Sequence, residues 1–116
     1  MDEANRDQFL KDIVTTAVEG AAIQYWCNVN RYDPDLCVAW IKEDGDAGDQ
    51  DTHWHKLNAN MIAKGISRIK RENIEMRRDI LAAILVGDKT NDAGEIDIEA
   101  ADVIIQAALF GEIVYG

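Results

Sequence analysis

The stretch Glu99 to Phe110 constrains this chain more than any other segment. Val103, Ile104, Ile105, Ala107, Ala108, Leu109 and Phe110 make it apolar nearly all round. A helix without a polar face must be covered on most sides, so the rest of the chain has to wrap it as the central element. Asp97 stands just ahead as the expected N-cap, its carboxylate able to accept from the free N–H groups of the first turn. The ending Ile113-Val114-Tyr115 is too apolar for a loose tail.

The remaining segments must supply the cover. Residues 3–19 carry Leu10, Ile13, Val14, Ala17, Val18 and Ala21 at the spacing of one helical face, with Gly20 as a stop. Two runs rich in β-formers, 22–31 and 36–42, flank Asp33-Pro34-Asp35, which is a hairpin signal. Thr52 to Leu57 alternates weakly and reads as a third short strand. A helix over 58–70 buries Met61, Ile62, Ile66 and Ile69; another over 74–86 buries Ile80, Leu81, Ile84 and Leu85 and ends at Gly87. Glu72-Asn73 allows either one bent helix or two. These elements predict an α+β fold in one domain over 1–116: a small antiparallel sheet of about three strands, a β-hairpin plus one, packed against three to four helices with the C-terminal helix central.

A chain of 116 residues buries roughly two-thirds of its unfolded surface and needs no disulfide or structural metal to fold. Its 22 acidic against 12 basic residues give a net charge of −10. That field repels nucleic acid and anionic membrane and favours basic partners. No apolar run approaches the ~20 residues of a membrane span, and the charged start, Met1 to Arg6, is unlike a signal peptide. Cys27 and Cys37 fall on opposite arms of the hairpin, with Cys27 expected across from Trp40, about three residues from Cys37. That is roughly 10 Å along a strand, too far for a bridge, so two reduced thiols in the cytoplasm of a bacterial cell are expected.

Several groups of residues are candidates for chemistry. His53 and His55 are two apart, so on a strand both face one way and meet a single metal ion, with Cys27, Cys37, Asp49 or Asp51 as further ligands. Two histidines on an exposed edge strand explain the same letters. Asp88 to Glu99 resembles a calcium-binding loop, but Gly94 and Ile96 each arrive one place late, which favours a polar loop feeding an N-cap. Lys64, Arg68, Lys70, Arg71, Arg77 and Arg78 hold six of the twelve bases. This patch is the one route by which nucleic acid would bind, yet Arg68 with Glu72 and Arg71 with Glu75 have the i, i+4 spacing of a helix pairing its own charges. Trp26, Trp40 and Trp54 fall one per predicted strand, as core or as an aromatic partner surface. The acidic run Glu43 to Asp51 offers Asp44, Asp46, Asp49 and Asp51 to a partner. No nucleophile elbow or spaced carboxylate pair implies catalysis, and no cofactor is implied.

Glu19-Gly20-Ala21-Ala22-Ile23-Gln24-Tyr25-Trp26, then Met61-Ile62-Ala63-Lys64-Gly65-Ile66, then Ala101 to Gly116 resemble, in this order, a family of small uncharacterised proteins of actinobacterial phages, prophages and their hosts. The resemblance implies a cytoplasmic accessory protein that binds a host or defence-system protein, and it carries over no functional residue. The expected function is therefore that of a non-enzymatic acidic binding protein. The alternative is a metal or small-ligand (nucleotide) domain, enzymatic or not, organised by His53 and His55. A homodimer is expected only if part of the last helix is left uncovered.

Overall fold

The computed structural model describes residues 2–43 and 53–116. In chain order it comprises α1 (Asp2–Glu19), β1 (Cys27–Asp33), β2 (Val38–Glu43), β3 (His55–Leu57), α2 (Ala59–Glu72), α3 (Arg78–Thr90), a 3-10 turn (Ala93–Glu95) and α4 (Ile98–Phe110). The fold is α+β, as the patterning predicts, with a three-stranded antiparallel sheet and four helices among the described residues.

Helix α4 is the centre. Every residue from Ala100 to Ala108 is buried under other parts of this chain, while Ile98 stays exposed and Leu109 and Phe110 half-buried. The Asp97 side chain accepts from the Ala100 N–H at 2.9 Å, the capping bond that the sequence predicts. At the other end Gly111 adopts the left-handed conformation, φ 72°, and its N–H donates to the Ala107 carbonyl. Helix α2 crosses α4 at Gly65, where any Cβ would run into the Ile104 carbonyl oxygen. Helix α1 lays Phe9, Leu10, Ile13, Val14 and Ala17 into the same core, while Ala21 is exposed beyond its end.

Between the second and third helices the chain breaks instead of bending. Asn73 takes the left-handed conformation, φ 52°, and ends α2. Helix α3 begins at Arg78 and runs past the buried Gly87 to Thr90, later at both ends than expected. Glu75 therefore lies outside any helix, and the expected Arg71–Glu75 pairing gives way to an Arg71 Nε bond to the Ser67 carbonyl at 3.3 Å. Because α3 absorbs Asp88 to Thr90, these residues do not form the start of a calcium-type loop.

The sheet is a meander in the order β1-β2-β3. The hairpin is shorter than its composition suggests: residues 22–26 are turn, closed by Trp26 N–H donation to the Ile23 carbonyl at 3.1 Å. Cys27 pairs with Glu43 and Trp40 with Asn30, which corrects the expected Cys27–Trp40 register. Cys27, buried, and Cys37, half-buried in the turn, form no disulfide. The inner face, with Cys27, Val29, Ala39, Ile41 and Leu57, packs on the helices. The outer face carries Asn28, Asn30, Trp40, Lys42 and Lys56. No helix among the described residues is long and apolar enough to cross a membrane.

Candidate functional site

The chain folds back sharply after α1. Gly20 sits where a Cβ would stand 2.5 Å from the Thr16 carbonyl oxygen and 2.9 Å from Ile98, so only glycine lets the turn close against the start of α4. Ala22 N–H then donates to the Ala17 carbonyl at 3.0 Å. This tight turn sends Ile23 and Trp26 inward and leaves Tyr25 half over a cleft.

At the floor of that cleft lies Asp102 of α4, 9 % exposed. Its Oδ1 accepts from Trp26 Nε1 at 2.8 Å and from Gln106 Nε2 at 2.9 Å, and its Oδ2 accepts from the Tyr25 hydroxyl at 2.5 Å. Burial, then the bond to Asp102, pushes the Tyr25 hydroxyl well above its ordinary pKa, so it stays a neutral donor. Gln106, one helical turn on, accepts from the Val114 and Tyr115 N–H groups, each at 2.8 Å, and donates to the Tyr115 carbonyl at 3.2 Å. The Tyr115 ring stacks on Trp26 at 5.3 Å and 7°, with Phe110 tilted against both, and the Tyr115 hydroxyl donates to Glu43. Among the described residues no buried side-chain N or O atom lacks a partner.

The cleft encloses about 550 Å³ between this knot, the start of α4 and the segment leading into α3. Met76, Ile80, Ile98, Val103 and Ile113 make its walls apolar, while Glu75, Arg77 and Glu99 stand at it as charges. Arg77 is engaged by Asp79 at 2.8 Å and by Glu99 at 3.0 Å.

The three tryptophans separate. Trp26, 2 % exposed, belongs to the core and the Asp102 knot, so of its two readings the core one holds and the partner-surface one does not. Trp40 and Trp54 are 36 % and 39 % exposed. Lys42 Nζ lies 5.1 Å from the Trp54 ring centroid, and Lys56 stands opposite Trp40 in the register. The result is an aromatic, lysine-flanked patch at the outer side of the sheet.

His53 is exposed ahead of β3, and His55 is half-buried opposite Ile41. No group of three or more His, Cys, Asp or Glu side chains placed to hold a metal exists among the described residues. Cys27 is on the far strand, and Cys37 bonds the Pro34 carbonyl. Asp44, Asp46, Asp49 and Asp51 lie outside the described residues. Half of the basic patch is engaged within the fold: Arg68 on Glu72 at 3.2 Å and on the Ala108 carbonyl, Lys70 on Asp88 at 3.0 Å, Arg77 as above, with Arg78 exposed at the start of α3.

Sequence reasoning passed over Tyr25, Asp102, Gln106 and Tyr115. The signal was there: Asp102 and Gln106 are four apart, hence on one face, inside the most apolar helix of the chain. Polar groups buried in such a helix need partners, and the knot is what they find.

Together these features define an α+β domain with a ligand-sized cleft on one side and an aromatic sheet face on another. No family model, curated protein or solved structure matches the chain.

Proposed function

We propose that the protein is a non-enzymatic binding module that meets a protein partner through the outer side of its sheet. The observation that carries this reading is the pair Trp40 and Trp54, both more than a third exposed and flanked by Lys42 and Lys56. The exposed third of each ring leaves unrealised part of the roughly 1.5–3 kcal/mol that full burial of a large apolar side chain gives, and tryptophan is enriched among the residues that dominate interface energies. The net charge of −10 works against a polyphosphate occupant and supports a protein one. Asp44, Asp46, Asp49 and Asp51 fall in the connection between β2 and β3, adjacent in sequence to this patch, where they would steer a basic region of the partner. The resemblance to phage and prophage proteins supports a host or defence-system protein as that partner.

The test is affinity capture from host extract with wild-type protein and with a Trp40→Ala/Trp54→Ala variant. We expect one dominant protein partner, weakened by salt and reduced at least tenfold by the double substitution, since two interface tryptophans each contribute about 2 kcal/mol or more. An undiminished yield with the variant, or no protein partner at any salt, would overturn the reading. Tryptophan quenching by single-stranded oligonucleotides with no protein captured would replace it with a nucleic-acid function.

A further inference from the structure

We propose that the cleft over Asp102 binds a small organic cation with an apolar body, an ammonium or guanidinium group donating to the Asp102 carboxylate. This site is separate from the sheet surface and does not depend on it.

The charge of Asp102 carries the inference. A carboxylate offers about four acceptor directions, and three are taken, by Tyr25, Trp26 and Gln106. Oδ1 holds two of these donors and Oδ2 only one, so the unfilled position is on Oδ2. All three donors are neutral. Among the described residues no lysine, arginine or histidine forms an ion pair with Asp102. Buried charges in proteins are normally met by an opposite charge. Here the counter-charge is missing, and the carboxylate lines an open cleft.

The cleft selects what supplies it. Its other charges, Glu75 and Glu99 against Arg77, leave one further negative charge beside Asp102. An anion is therefore excluded by repulsion. A hard divalent metal needs several oxygen ligands, and no such cluster exists among the described residues. The apolar walls, from Met76 and Ile80 to Ile98, Val103 and Ile113, demand hydrocarbon, and the exposed Tyr25 ring beside them suits a cation's approach to a π face. A volume of about 550 Å³ is that of a small-molecule site, which argues for a free amphiphilic amine over the side chain of a basic protein.

The full chain, isotope-labelled for two-dimensional NMR, is titrated with phenylbutylamine, with its neutral counterpart phenylbutanol, and with acetyl-lysine amide. The amine is expected to shift the Trp26 indole N–H and the Val103 amide saturably. The alcohol should bind about tenfold more weakly or worse, as the loss of a charge-assisted bond requires. Asp102→Asn should lower amine affinity by about tenfold or more and bring it to that of the alcohol. Ile98→Ser, outside the hydrogen-bonded knot, should weaken the amine about threefold and keeps the test decisive should Asp102→Asn fail to fold. Equal binding of amine and alcohol, no saturable shift, or an unaffected Ile98→Ser variant would each overturn the proposal. Acetyl-lysine amide binding as tightly as the amine would overturn the free-amine assignment in favour of a basic side chain of a partner.

Discussion

Gln106 shows what a single polar side chain can do in an apolar interior. It is fully buried, yet its carbonyl accepts from two backbone N–H groups of the C-terminal segment, and its two N–H groups face Asp102 of its own helix and the Tyr115 carbonyl, with the Tyr25 hydroxyl at 3.4 Å. Gln106→Leu is of similar size and removes all of these bonds. The Val114 and Tyr115 N–H groups lose their acceptor and Asp102 loses a donor, and each unsatisfied group costs about 1–3 kcal/mol when buried. Val114 is half exposed, so water restores part of the loss there. We expect a net destabilisation of about 2–3 kcal/mol, read as a lower urea midpoint with unchanged slope. An unmoved midpoint would show that the Tyr115 side chain, stacked on Trp26 and bonded to Glu43, holds the C-terminal segment without Gln106. That Gln106 and Asp102 were passed over in the sequence has a physical cause. Average apolarity places a helix inside, but the few polar residues it carries decide what the inside binds.

At the scale of elements, what was legible depended on whether the deciding contact was local. The centrality of α4, the burial of Leu10, Ile13, Val14 and Ala17 on α1 and the Arg68–Glu72 pair follow from spacing along one helix and stand as expected, while Val18 is only half-buried and Ala21 exposed. The turn at 22–26 does not follow, because Ile23, Tyr25 and Trp26 suit a strand equally well. Trp26 leaves the sheet to find Asp102, 76 residues away. Likewise Lys70, seen as one charge in a basic cluster, is paired to Asp88 on another helix. The α2–α4 crossing is a further long-range fact hidden in a local residue. Gly65 costs α2 about 1 kcal/mol of helix propensity relative to alanine, which makes sense only if something forbids a side chain there. The Ile104 carbonyl does. Gly65→Ala should gain the propensity and lose more: a backbone atom cannot swing aside, so the helices must separate, and such overpacking costs about 1–3 kcal/mol. Thermal unfolding decides the sign. A stabilised Gly65→Ala would mean that the helices part freely, and a larger loss with Gly65→Val is expected if they do not.

For the whole molecule, the ties between elements end in ionisable groups, so stability has an acid and an alkaline edge. Asp88 on α3 binds Arg6 of α1 at 2.5 Å and Lys70 of α2 at 3.0 Å. Burial pushes its carboxyl upward, but the hydrogen bonds and charges of Lys70 and Arg6 outweigh this and hold its pKa below the ordinary carboxylate value. A depressed acid contributes stability above its unfolded pKa, about 4, and loses it as pH falls through the folded value. Tyr25 and Tyr32 work in the opposite direction. Burial and then the bond to Glu19 push Tyr32 up to about 12, and burial with Asp102 raises Tyr25 likewise. Their contribution is complete below the ordinary tyrosine pKa, about 10, and is lost as pH climbs through the folded values. Denaturation from pH 2 to 12 with three proteins separates the two edges. Asp88→Asn should be less stable than wild type at neutral pH, with the gap closing below about pH 4. Tyr25→Phe/Tyr32→Phe should likewise trail wild type at neutral pH, with its gap closing above about pH 10. The other acids of this −10 chain are common to all three proteins, so their contribution cancels from the comparison. Parallel curves at both ends would mean that these bonds do not hold the elements together, and that the shared apolar core around α4 does so alone.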